Sequence, residues 1–244
     1  QLKRVVLCEG EDQRVLHATQ QIVSQKLAFP VLIGRPEVIE RRIKELGLTI
    51  QPGKDFELVN NQRDPRYREY WGEYYQSMKR KGITEEMARR RVIGNTTLIG
   101  ALMVNRGDAD AMIGGTFGRY REHFDTIEQV IGYNNPEKVA GAMNALILPH
   151  GNIFITDTYV NAKPNAAQLA KITEMATEDM RRFGIEPKVA LMSNSNFGSI
   201  DNDTSRLMQE TLELVRAAQP DLEVDGEMQG DVALMEDMRH SILP

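Results

Sequence analysis

Four short polar segments carry the residue types that could bind or transform a small ligand. Gly114-Gly115-Thr116 follows the apolar run at residues 109–113 and leads into Gly118-Arg119-Tyr120-Arg121. Asp157-Thr158 runs on to Asn161-Ala162-Lys163-Pro164, residues 193–199 read Ser-Asn-Ser-Asn-Phe-Gly-Ser, and Asp225-Gly226-Glu227 follows the apolar residues 222–224. A glycine-rich turn at the C-terminal end of a parallel strand is where ligands bind in open α/β sheets. Ser, Asn and backbone amides suit a ligand with phosphates and an amide-bearing arm, and Arg119 or Lys163 would neutralise phosphate charge. Asp225 and Glu227 have the chemistry of a general acid or base, or of a loop anchor, and spacing does not choose between these. The candidate ligand-binding set is Gly115, Thr116, Arg119, Asn161, Lys163, Ser193, Ser195, Asp225 and Glu227.

Other chemistries lack their signatures. Ser195 is not in a Gly-x-Ser-x-Gly hydrolase elbow. Neither Gly-x-x-x-x-Gly-Lys-Ser/Thr nor Gly-x-Gly-x-x-Gly occurs. His17, His123, His150 and His240 show no metal-ligand spacing, so no metal is expected. The single cysteine, Cys8, lies in Val5-Val6-Leu7-Cys8 and reads as a buried hydrophobe, not a nucleophile. Thirty basic against 35 acidic residues give a net charge of −5, which argues against a nucleic-acid partner. No apolar run reaches the roughly 18 residues of a membrane span, and no signal-peptide pattern opens the chain. A cytoplasmic protein with no membrane partner is expected.

The elements that must position these loops alternate between strand and helix. Residues 4–7, 30–33 and 56–59 are short apolar runs, hence buried strands. Gly10, Gly34 and Gly47 punctuate them, Asp12 can cap the first helix, and Pro36 suits the first turn of the second. Residues 95–104 read as a helix and 109–113 as a buried strand. A second series holds a strand at 152–156, a helix opened by Asn161-Ala162-Lys163-Pro164, a buried strand at 189–192, a further helix capped by Asp203 or Thr204, and a strand at 222–224. The stripe Leu169, Ile172, Ala176, Met180 and Phe183 fits one face of the long helix and should be core. Strand–helix alternation predicts two α/β domains with mostly parallel sheets, residues 1–145 and 146–244. The polar loops would converge on one sheet edge.

Residues 63–91 stand apart. Tyr67, Tyr70, Trp71, Tyr74 and Tyr75 recur at helical spacing among many charges. Two readings remain open: an amphipathic helix packed on the domain, or a partner interface rich in Tyr and Trp. The runs Lys79-Arg80-Lys81 and Arg89-Arg90-Arg91 read as solvated helix faces or phosphate-binding patches.

At these loops and at the chain's start, motifs emerge in order. Glu9-Gly10-Glu11-Asp12-Gln13-Arg14-Val15-Leu16 resembles the opening Glu-Gly-Glu-Asp-x-Arg-Val-Leu stretch of phosphate acetyl/butyryltransferases. Lys81-Gly82-Ile83-Thr84-Glu85-Glu86, the run from Asp157 through Pro164 to Gln168-Leu169-Ala170, residues 190–199 and Asp225-Gly226-Glu227-Met228-Gln229 are similar to that family's later motifs. The resemblance spans essentially all 244 residues. It implies a phosphotransacetylase-like fold of two α/β domains with a cleft between them, dimerisation, no metal, and acetyl transfer between coenzyme A and phosphate. Such chemistry needs cations where negative oxygen charge gathers.

Two family arginines are replaced. Laid against the pattern, one falls at Met78 and the other at Asp125, within Arg121-Glu122-His123-Phe124-Asp125. An acid at an anion site repels as well as failing to attract. The family's late Asp-Leu-Ser-Arg-Gly segment would lie beyond Pro244, so the second domain is expected to be incomplete, with roughly 80 to 90 residues more in the whole. With these losses the chain is similar to the transferase-like C-terminal domain of large hybrid NADP-dependent malic enzymes of bacteria. That resemblance implies a regulatory, non-catalytic domain. It would bind acetyl-CoA (or CoA) as an allosteric inhibitor through the candidate set, with no catalytic residue of its own. It would form a homodimer, within a higher oligomer of the parent chain. NADP and Mg or Mn would belong to the parent's other domains, where malate becomes pyruvate and CO2. The alternatives are an active phosphate acetyltransferase, with Arg80 or Arg119 standing in for the lost cations, and a purely structural dimerisation domain.

Overall fold

The computed structural model describes residues 2–60 and 62–242. The ends Gln1 and Pro244, which enter the expectation of an incomplete domain, lie outside the described residues. The chain forms two compact units, Gln1–Gly132 and Tyr133–Pro244. A boundary at 145/146 would instead cut a strand that is paired along its whole length, β5 below.

The first unit runs β1 (Arg4–Leu7), α1 (Gln13–Ser24), β2 (Phe29–Ile33), α2 (Pro36–Glu45), β3 (Glu57–Val59) and α3 (Tyr67–Met78). A single 3-10 turn (Lys79–Lys81), α4 (Glu85–Gly94), α5 (Thr96–Arg106), β4 (Ala111–Ile113) and α6 (Tyr120–Val130) complete it. The four strands are parallel in the order β3-β2-β1-β4. Side chains alternate across a strand. Val6, Cys8, Val31 and Ile33 therefore enter one core, with Leu98 and Met103 of α5. Leu7 and Leu32 enter the other, with Leu16, Ile39 and Phe56. Cover on both faces is why β1 and β2 read as apolar runs instead of alternating patterns, whereas β4, expected to be buried, leaves Ala111 and Ile113 exposed. The helices start where local chemistry allows. The side chains of Asp12, Thr84 and Asn95 accept the N–H groups of Arg14, Met87 and Leu98, and Pro36 sits in the first turn of α2.

Helix α3 decides between the two readings of the aromatic stretch. Tyr70, Tyr74 and Met78 are buried in the α5-side core, with Tyr67, Trp71 and Tyr75 packed against it. The Tyr70 hydroxyl donates to Asp108 Oδ2 at 3.1 Å, and Arg89 stacks over Trp71 at 5.6 Å. The stretch is an amphipathic helix seated on its own domain.

The second unit runs β5 (Met143–Leu148), β6 (Gly151–Thr156), α7 (Ala166–Arg182), β7 (Lys188–Met192), α8 (Asp203–Ala218), β8 (Glu223–Met228), α9 (Gly230–Leu234) and α10 (Glu236–Ile242). β5 and β6 form an antiparallel hairpin, an exception to the parallel pattern. Only Pro149 and His150 separate them, too short a connection for a parallel crossover. β7 and β8 are parallel. Leu191, Leu212, Val215, Leu222 and Val224 make a small core against α8. The stripe of α7 departs from its expected core role: Ile172 is buried, Leu169, Ala176 and Met180 are half-buried, and Phe183 is exposed.

Candidate functional site

In the first unit, the turn after β4 is held from three directions. The Gly115 N–H donates to Glu9 Oε1 at 2.9 Å. Arg14 Nη2 donates to the Thr116 carbonyl at 3.0 Å while pairing with Asp12. His123 Nε2 lies 2.8 Å from the Phe117 carbonyl, and its Nδ1 lies 2.8 Å from Thr97 Oγ1. A carbonyl only accepts, so Nε2 carries the proton and Nδ1 accepts from Thr97. Gly118 has φ of +94°, and a Cβ there would meet His123 Nε2 at 2.8 Å, so glycine is required at this point. Hydrogen bonding to Arg14 holds the Asp12 carboxyl down at about 2.

Three members of the candidate set lie on this turn. Gly115 is exposed with its N–H committed to Glu9. Thr116 is half-buried, and its hydroxyl oxygen is closed from solvent without a hydrogen-bond partner among the described residues. Arg119 precedes α6 with 86% of its side chain exposed, and its nearest acid, Glu122, is 3.9 Å away. Glu9, Arg14 and His123 were not in the candidate set. The first two lie in the Glu-Gly-Glu-Asp-x-Arg motif, the signal that could have marked them.

In the second unit, Asp157 organises the loop after β6. Its carboxylate accepts from the N–H groups of Ala142 and Asn161 and from Asn161 Nδ2, each at 2.8 Å. Burial opposes its charge, but these hydrogen bonds outweigh burial and hold the carboxyl below its ordinary range. Asn161 is thus spent on the loop, its Nδ2 also reaching the Ala140 carbonyl at 2.7 Å. Lys163 is exposed and makes no hydrogen bond or ion pair among the described residues.

Ser195 and Glu227 form the buried polar centre of this unit, both fully closed from solvent. Ser195 Oγ donates to Glu227 Oε1 at 2.9 Å and accepts the Ile200 N–H at 3.0 Å. The Gly198 N–H reaches the same carboxylate oxygen at 2.6 Å. Burial disfavours the Glu227 charge, yet the N–H and O–H donors win and its carboxyl sits below the ordinary range. Ser193 joins them, its Oγ accepting the Ser195 N–H at 3.2 Å.

Asp225 does not join this group. β8 continues through Asp225-Gly226-Glu227 to Met228, where the sequence predicts a loop. Strand alternation turns Asp225 outward, and it pairs with Arg216 at 3.1 Å. A register shift opposite Leu191 and Met192 breaks the alternation, so Gly226 and Glu227 are both buried. Gly226 has φ of +139°, and a Cβ there would stand 2.7 Å from the Leu191 carbonyl oxygen.

The two positions at which the resemblance to the transferases expects arginine are Met78 and Asp125. Met78 is 6% exposed inside the core. Asp125 on α6 lies 2.7 Å from Arg121 Nε, a charge contact without hydrogen-bond geometry. Among the described residues, no three His, Cys, Asp or Glu side chains are grouped to hold a metal ion. No helix among them is long and apolar enough to cross a membrane.

A family model described as phosphate acetyl/butaryl transferase matches residues 1–244. The chain belongs to the phosphate acetyl/butaryl transferase family. A phosphotransacetylase from Streptococcus pyogenes superposes with a TM-score of 0.86 at 25% identity, over 100% of this chain and 73% of its own. One from Staphylococcus aureus gives 0.84, with the same identity and coverage. Among curated relatives of this transferase family, the NADP-dependent malic enzyme of Salmonella typhimurium is 61% identical over 99% of this chain. The phosphate acetyltransferase of Nitratidesulfovibrio vulgaris is 30% identical over the same share. The chain spans about a third of the length of each, 32% and 34% respectively. It therefore corresponds to the transferase-like part of malic enzymes, and the fold agrees with the phosphotransacetylase-like class its motifs imply.

Proposed function

We propose that this chain is a regulatory, non-catalytic module of a cytoplasmic NADP-dependent malic enzyme, binding acetyl-CoA as an allosteric inhibitor and pairing with a second copy of itself. The observation that carries the reading is the fate of the two arginine positions. Met78 is walled into the core, where no phosphate can reach it, and Asp125 presents a carboxylate that ties up Arg121. A transferase must stabilise oxygen charge as it develops; these positions supply none. The Gly115 turn, Arg119 and Lys163 still offer exposed backbone and cations for the phosphates of coenzyme A. NADP, the divalent metal and the malate chemistry are assigned to the rest of the parent polypeptide. Its N-terminal parts would oxidise and decarboxylate malate.

The reading is tested on the full-length parent. Acetyl-CoA should titrate with measurable heat below millimolar concentration and lower malate-dependent NADPH production. Linkage requires that malate-site ligands change acetyl-CoA affinity by the reciprocal factor. Absence of heat at millimolar acetyl-CoA sinks the proposal.

One observation favours the runner-up, an active phosphate acetyltransferase: Arg119 is an exposed cation beside a glycine turn. Conversion of acetyl phosphate and CoA to acetyl-CoA, abolished by Arg119→Ala, would establish it.

A further inference from the structure

Phe117 stands on the turn after β4 with 65% of its surface exposed. A lone apolar side chain in water is ordinary, but this one is displayed on a backbone held at successive carbonyls. Arg14 donates to the Thr116 carbonyl at 3.0 Å, and His123 Nε2 donates to the carbonyl of Phe117 itself at 2.8 Å. His123 is fixed in turn by Thr97 at 2.8 Å, and it fills the space that a side chain at position 118 would need. The ring is therefore presented on a turn whose shape is set before a ligand arrives, and binding to it costs little ordering.

Two residues on, Arg119 supplies the complementary chemistry. Its side chain is exposed, and its nearest acid, Glu122, lies at 3.9 Å, beyond hydrogen-bond reach. A guanidinium reads phosphate oxygens through paired N–H donors, and an aromatic face stacks on a nucleobase. The Gly115 N–H is already given to Glu9, so side chains and not that amide carry the recognition. An apolar ring and a cation on one fixed turn match a purine nucleoside that bears phosphate.

We infer that this turn is the adenine-nucleotide subsite of the effector site: the adenine of acetyl-CoA stacks on the Phe117 ring while one of the ligand's phosphates pairs with Arg119. The inference rests on the acetyl-CoA reading and deepens it. It puts the nucleotide half of the ligand on the first unit and leaves the acetyl group out of this contact. CoA, acetyl-CoA and adenosine bisphosphate, the nucleotide fragment of coenzyme A, share the feature that the turn reads.

Calorimetric titration of the full-length polypeptide with acetyl-CoA, alone and against adenosine bisphosphate, tests it. The fragment should compete with acetyl-CoA. Phe117→Ala should weaken both ligands by about tenfold, the loss of one base–aromatic stack, and Phe117→Trp should retain their affinity. Added salt should leave the Phe117→Ala loss unchanged, because stacking is not a charge effect. The side chain is exposed, so the melting temperature of Phe117→Ala should match that of the parent sequence. If the parent sequence gives no heat with acetyl-CoA, the reading and the inference fall together. If acetyl-CoA binds and Phe117→Ala binds it equally well, the inference alone falls. It also falls if the fragment does not compete, or if Phe117→Ala weakens acetyl-CoA and not the fragment. A lowered melting temperature would make the ring a structural element and overturn it as well.

Discussion

The Ser195 hydroxyl donates to Glu227 Oε1 at 2.9 Å where neither side chain reaches solvent. The pair joins the loop after β7 to the strand β8, 32 positions apart in sequence. A buried carboxylate costs heavily unless it is hydrogen-bonded, and this contact ties the loop to the strand.

Ser195→Ala should destabilise the second unit by about 1–3 kcal/mol, because the buried carboxylate loses a donor. Glu227→Gln should cost a similar amount at neutral pH. The Glu227 carboxyl lies below its ordinary range when folded. Its ionisation therefore favours the folded state above a pH near about 4.3, the unfolded value, and that contribution is lost as pH falls through the folded pKa. Thermal unfolding followed from neutral pH into this acid range should show a steeper loss for the parent sequence than for Glu227→Gln. Identical acid profiles would remove Glu227 from this role.

Glu9→Ala should release the Gly115 turn, since the Gly115 N–H loses its acceptor. A local cost of about 1–3 kcal/mol is expected. Exchange at the Gly115 and Thr116 amides should quicken, while the α5-side core keeps its protection. Unchanged exchange at Gly115 would show that Arg14 and His123 hold the turn alone.

Met78 and Asp125, the positions at which the resemblance expects arginine, should respond differently to substitution by it. Met78→Arg places a guanidinium among Tyr70, Tyr74 and Ile83 in the buried cluster and should cost roughly 3 kcal/mol or more. Asp125→Arg, on a half-exposed helix face, should stay within about 1 kcal/mol. Melting temperatures check both. A tolerated Met78→Arg would mean that position 78 can open to a ligand after all.

On the proposed function, Arg119→Ala and Lys163→Ala should each weaken acetyl-CoA binding to the full-length polypeptide by about tenfold, equivalent to about 1.4 kcal/mol, and added salt should shrink the difference. Calorimetric titration of each variant measures this. Unchanged affinity in both would place the ligand away from these two loops.

What the sequence determined by itself was the chemistry that repeats locally. β2 was legible because a strand buried on both faces is apolar throughout, and α1 and α2 because Asp12 and Pro36 sit where helix starts need them. The ordered motifs from Glu9 to Gln229 were enough to reach the transferase family. The loops at Gly115, Asn161 and Ser195 were visible as polar interruptions, but their partners were not. Only the tertiary structure paired Ser195 with Glu227, sent Asp225 outward to Arg216, and committed Asn161 to Asp157. It also turned Tyr70 and Tyr74 into core residues. The reason is physical. Periodicity records which face of an element is buried, whereas a register shift at Leu191 and Met192, or a hydrogen bond across 32 residues, depends on which segments meet in space.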